Sequence, residues 1–146
     1  MTKPTAKHRA LGVLAGKWIT QGTIRATGDA APSQMSAIDR YEWLPGGFFM
    51  LHKVDALIGG TVSQSIEVIG YDAAQACFVT RSYDDQGKSD VFTARLKGHL
   101  WSIDGEKVRF RGALDQGNLV LAGTWEQRSD KKRWNPWMDI ELRKVT

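Results

Sequence analysis

Leu11-Gly12-Val13-Leu14-Ala15-Gly16-Lys17-Trp18 decides the fold of this chain. It reads as the end of a short apolar helix, a glycine, and a tryptophan that opens a strand. Upstream, Ala6, Ala10, Leu11, Leu14 and Ala15 recur at helical spacing, which predicts a helix over 5–15. Pro4 stands just before it, where a helix start tolerates proline, and Gly16 ends it. This helix is expected to lie across one mouth of a β-barrel, with Trp18 as the plug of the closed end.

From Ile19 to Val145 the chain alternates β-prone runs with turn signals. The reading gives ten strands, over 17–27, 35–44, 48–56, 61–71, 76–83, 89–96, 99–103, 107–112, 118–127 and 134–145. A loop rich in Gly, Asp, Ala and Pro covers 28–33. Pro45-Gly46-Gly47 and Gly59-Gly60 are turns. Asp104-Gly105 has the composition of a type I′ hairpin, which needs positive φ at both central residues. Asn135-Pro136 predicts an edge entry or a bulge, because proline cannot donate to a ladder. Strand-helix-strand units are missing, so a parallel sheet is not expected. A ten-strand antiparallel meander carries two raw edges, and closing into an up-and-down barrel removes them. A two-sheet sandwich is the alternative. The fold class is therefore all-β, in a single domain over 1–146.

A chain of 146 residues buries roughly two-thirds of its unfolded surface, enough for a core or a cavity. Six tryptophans suit barrel interiors and pocket walls. Cys77 stands alone and makes no internal disulfide, which fits a reducing compartment. Residues 1–16 hold no apolar run of signal-peptide length, and no segment reaches the roughly 18 apolar residues of a membrane span. A cytoplasmic location is expected. The net charge of +4 comes from local clusters. Lys3, Lys7, His8, Arg9 and Lys17 form one. Arg128, Lys131, Lys132, Arg133, Arg143 and Lys144 form the other. If the first and last strands pair, the two meet on one side, as a solvated basic face or a surface for an anionic partner.

Gly16-Lys17-Trp18, after a short helix and opening the first strand, resembles the Gly-x-Trp signature of lipocalin-like barrels. The resemblance implies an arginine of the last strand packed over the tryptophan, and Arg143 sits in the matching place. The middle of the chain is similar to a bacterial family catalogued only as a domain of unknown function. Glu42, Pro45-Gly46-Gly47-Phe48-Phe49, His52, Glu67-Val68-Ile69-Gly70-Tyr71-Asp72, Tyr83-Asp84 and Gly87 carry that similarity. It implies a barrel with a cavity and no assigned activity. A related branch of small barrels binds haem through a late histidine. The histidines here are His8, His52 and His99, so the haem ligand is missing and no cofactor is expected.

Period-two alternation assigns faces. His52 shares a face with Phe48, Met50 and Val54, the more apolar and hence interior one. It is either a core histidine held by one hydrogen bond or an anchor or acid/base group for a ligand. Glu67 shares a face with Ser65 and Ile69, Arg81 with Val79 and Tyr83, and Arg95 with Val91 and Thr93. An interior carboxylate and guanidinium are expected to pair, or an arginine to anchor a ligand carboxylate. Trp125 and Trp137 either fill the core or wall a pocket. One Cys and three scattered His exclude a zinc cluster, so no metal site is expected. P-loop, dinucleotide and nucleophile-elbow motifs are missing.

The expected function is binding of a small hydrophobic or amphipathic molecule in the barrel, with Phe48, Met50, His52, Glu67, Arg81, Tyr83, Arg95, Trp125 and Trp137 as candidate ligand-binding residues. Gly16, Trp18 and Arg143 are the expected closure of the barrel. The alternatives are an enzyme using His52 and Glu67 as acid and base, or an interaction protein whose barrel is filled. The basic clusters have no aromatic stripe beside them, so nucleic acid is not expected as a partner. A homodimer is the default oligomer.

Overall fold

A computed structural model describes residues 2–26, 30–130 and 132–145. The chain begins with helix α1 (Ala6–Ala10), capped where the Thr5 N–H donates to His8 Nδ1 (3.0 Å). A 3-10 turn (Leu11–Leu14) follows and delivers Leu11 and Leu14 into the core. Ten antiparallel strands come next. They are β1 (Gly16–Ile24), β2 (Ser33–Trp43), β3 (Phe49–Ile58), β4 (Thr61–Asp72), β5 (Cys77–Asp84), β6 (Ser89–Lys97), β7 (Leu100–Asp104), β8 (Val108–Leu114), β9 (Val120–Gln127) and β10 (Asn135–Val145). Each pairs with its sequence neighbour, and β1 pairs with β10 to close the barrel. The up-and-down barrel with a short helix at one end is the architecture the sequence predicts, and the sandwich is excluded. The end of the first predicted strand and the start of the following loop, 27–29, lie outside the described residues, as does Lys131 of the last turn.

The closed end is built on Trp18. It is fully buried and its Nε1–H donates to the Leu14 carbonyl (2.9 Å), tying the helical segment to the first strand. Leu11, Leu14, Met50, Ile69, Phe78, Leu121 and Leu142 pack in the same cluster. The cation over the indole is Lys144, not Arg143. Lys144 is the cross-strand partner of Trp18, whereas Arg143 pairs with Ile19, whose side chain is exposed. Lys144 Nζ lies 4.9 Å from the Trp18 ring centroid and donates to the Val13 carbonyl (3.0 Å). Burial there holds its pKa below the usual lysine range. Arg143 projects outward to Glu141 (2.6 Å). One residue of strand parity separates the two.

The turns correct one expectation. Neither Asp104 nor Gly105 has a positive φ, so their hairpin is not type I′. The Gly105 N–H donates to the Val108 carbonyl (2.9 Å) across Glu106 and Lys107. Glycine is required at 105 for space, because a Cβ there would meet the Phe92 ring at 2.4 Å. A two-residue hairpin turn with positive φ at both positions is Gly59-Gly60, between β3 and β4. The basic clusters also divide. Arg143 and Lys144 join the N-terminal group at the closed end, but Arg128, Lys132 and Arg133 precede β10 and stand at the other end. There Arg128 and Arg109 lie over the Trp134 ring at 4.2 and 4.5 Å.

Candidate functional site

The interior changes character above the plug. On β2 the inward residues are Met35, Ala37, Asp39 and Tyr41; on β3 they are Met50, His52, Val54 and Ala56. Ala37, Ala56 and Ser63 fall in one register row across β2, β3 and β4, so this wall carries almost no side-chain volume. On the opposite wall Gly112 and Gly123 are cross-strand partners, and a Cβ on either would meet the Phe110 ring within 2.6 Å. Small residues on one side and a flattened Phe110 on the other leave a cavity of about 390 Å³. Its apolar wall includes Phe92, Trp101, Phe110, Trp125 and Trp137.

A charged cluster faces this void. His52 has Tyr41 as its cross-strand partner on one side and Glu67 on the other, with Asp39 two residues from Tyr41 along β2. His52 Nε2 donates to Asp39 Oδ2 (2.7 Å) and Nδ1 to Glu67 Oε1 (3.0 Å). Thr20 Oγ1 donates to Asp39 Oδ1 (2.5 Å). The Tyr41 ring stacks on the imidazole at 3.9 Å and 10°. An ionised carboxylate only accepts, so with both carboxylates ionised each ring nitrogen donates and the ring is an imidazolium. Burial is the largest single influence on His52 and lowers its pKa, but the hydrogen bonds and charges of Asp39 and Glu67 together outweigh it and raise the pKa from 6.5 to about 9. Burial, followed by the same two charges, pushes Tyr41 well above 10, so it stays a phenol.

His52, Glu67, Trp125 and Trp137 all reach the cavity. Trp137 does so with its neighbour Met138, because a register shift between Pro136 and Met138 breaks the alternation of β10. That is the bulge predicted at Asn135-Pro136. Met50 is interior but lies in the packed core beside the plug. Phe48 precedes β3 and packs edge-on against His8 (5.2 Å), away from the cavity lining. Arg81, Tyr83 and Arg95 stand on the outer face, since Thr80 and Ala94 occupy the buried positions beside them. The carboxylate expected to pair with an arginine therefore pairs with a histidine, and among the described residues no guanidinium lines the cavity. Asp39, Tyr41 and Thr20 were absent from the sequence candidates. The alternation Met35, Ala37, Asp39, Tyr41 carries the signal for the first two. Among the described residues no group of three or more His, Cys, Asp or Glu is arranged to hold a metal ion, and no helix is long and apolar enough to cross a membrane.

No curated protein matches the chain. The crystal structure of Rv2717c from M. tuberculosis is similar to it, with a TM-score of 0.70 over 97% of this chain and 99% of that one. At 11% identity this is a likeness of fold alone. The model of the family described as "Protein of unknown function (DUF1579)" matches residues 3–142, and the chain belongs to that family.

Proposed function

We propose that this barrel binds a small, largely apolar molecule in its interior cavity, with the Asp39–His52–Glu67 cluster holding the ligand's polar end. One observation carries the reading: a hydrogen-bonded cluster of two carboxylates and a histidine faces a void of about 390 Å³ whose remaining wall is mostly apolar and aromatic. That volume lies within the range of roughly 300–1,000 Å³ usual for small-molecule sites. A barrel filled by its own side chains leaves no such space. Burying two carboxylates and a histidine costs several kcal/mol in desolvation, and the packed end of the barrel does without any such group. The buried Cys77 supports a reducing, cytoplasmic setting.

The test is native mass spectrometry of protein purified from its own source, followed by a thermal-shift screen of small amphipathic and aromatic compounds. A retained mass that disappears on denaturation, or a saturable rise in Tm, supports the reading. A clean apo mass with no shift across the screen overturns it.

An enzyme is the second reading, favoured by the 3.0 Å contact of His52 with Glu67. In it Glu67 is the base, because the imidazolium has both nitrogens engaged and no lone pair to accept a proton. Conversion of a cavity-bound compound that is abolished in Glu67→Gln would establish it.

A further inference from the structure

We infer that the ligand presents a positively charged hydrogen-bond donor, a protonated amine or similar small organic cation on an apolar body, and that the cavity discriminates against carboxylates. This rests on the cavity-binding reading above and names its ligand class.

Two carboxylates face one imidazolium, so the cluster carries one surplus negative charge. Among the described residues Lys88 and Asp90 are the other charged groups on the lining, and they are of opposite sign. The hydrogen bonds are unevenly spent. Both oxygens of Asp39 are engaged, one by Thr20 and one by His52. Glu67 uses only Oε1, so Oε2 remains as an acceptor with no donor among the described residues. A ligand N–H⁺ satisfies Glu67 Oε2 and neutralises the surplus charge. A ligand carboxylate would add a second surplus charge in a poorly solvated space and leave Oε2 without a donor. The aromatic wall agrees, since indole faces such as Trp125 and Trp137 attract cations. The polarity is opposite to the arginine-anchored carboxylate that the sequence suggested.

The experiment is isothermal titration of the intact protein at neutral pH and low salt with three probes of matched body: 1-naphthylmethylamine, 1-naphthylmethanol and 1-naphthylacetate. The expected result is a Kd for the amine about tenfold or more below that of the carboxylate, as one charge-assisted hydrogen bond provides. Glu67→Gln, checked for folding by circular dichroism, should weaken the amine about tenfold and leave the alcohol within about threefold. Should that variant not fold, the comparison of probes on the unaltered protein decides. Carboxylate or alcohol binding as tightly as the amine overturns the charge assignment and leaves the cavity reading standing. No binding by any probe overturns both.

Discussion

The two ends of this barrel spend the same kind of strand in opposite ways. Around Trp18 the interior holds Leu11, Leu14, Ile69, Phe78 and Leu142, and Lys144 lies over the indole and donates to a carbonyl. Around His52 the inward positions hold Ala37, Ala56, Ser63 and Ser65 beside three ionisable groups. The first end maximises buried apolar volume, the dominant stabilising contribution. The second gives up that contribution and accepts desolvation costs. The packed end thus supplies stability, the proposed binding site lies at the other end, and substitutions at the two ends should fail differently.

Trp18→Ala should have the largest effect. Emptying the plug is expected to cost about 3–5 kcal/mol, read as a lower urea midpoint or loss of folding altogether. A cost under about 1 kcal/mol would remove the plug from the account.

His52→Gln should cost about 3 kcal/mol, because it leaves two buried carboxylates without their cation. Its signature is pH dependence. The folded pKa of about 9 lies above the ordinary 6.5, so the stabilisation from His52 is complete below pH 6.5 and is lost as pH rises through 9. Urea titrations across that window should show the native protein losing of order 3 kcal/mol relative to the variant. Parallel curves for the two proteins would contradict the assignment.

Next come Lys144→Ala, expected to cost about 1–2 kcal/mol, and Arg143→Ala, expected within about 0.5 kcal/mol. Equal effects would mean that the closed end does not depend on which residue covers Trp18. Ala56→Phe fills space already empty, so its main effect should fall on binding and not on stability. We expect a Tm within a few degrees of the unaltered protein and loss of small-molecule binding. Retained binding would move the ligand out of the cavity.

Most of this fold is legible in the sequence, because turn residues punctuate every strand and alternation sorts the faces. The same rule finds His52, since Met50 and Val54 mark its side as apolar, but it does not place Glu67, whose face with Ser63, Ser65 and Ile69 is more polar than that of Val62, Ile66 and Val68. It fails where both faces look alike. Arg81 shares its face with Val79 and Tyr83, and Arg95 with Val91, so neither strand declares its inner side until the neighbouring strands are placed. It fails again where parity is broken, as at the bulge that turns Trp137 inward beside Met138. Asp39 is a different case. It is visible among Met35, Ala37 and Tyr41, but its meaning depends on His52, which only the β2–β3 register brings near. Arg143 and Lys144 differ by one position, and the β1–β10 register decides between them.

The central claim is that a clamped imidazolium faces the open half of the barrel. Nitrogen-15 NMR of the imidazole side chains tests it most directly, with His52→Gln assigning the resonances among three histidines. We predict that His52 at about pH 7.5 shows two protonated ring nitrogens and loses one proton only near pH 9. A neutral ring at that pH, titrating at or below 6.5, would contradict the clamp and with it the charge balance assigned to the cavity.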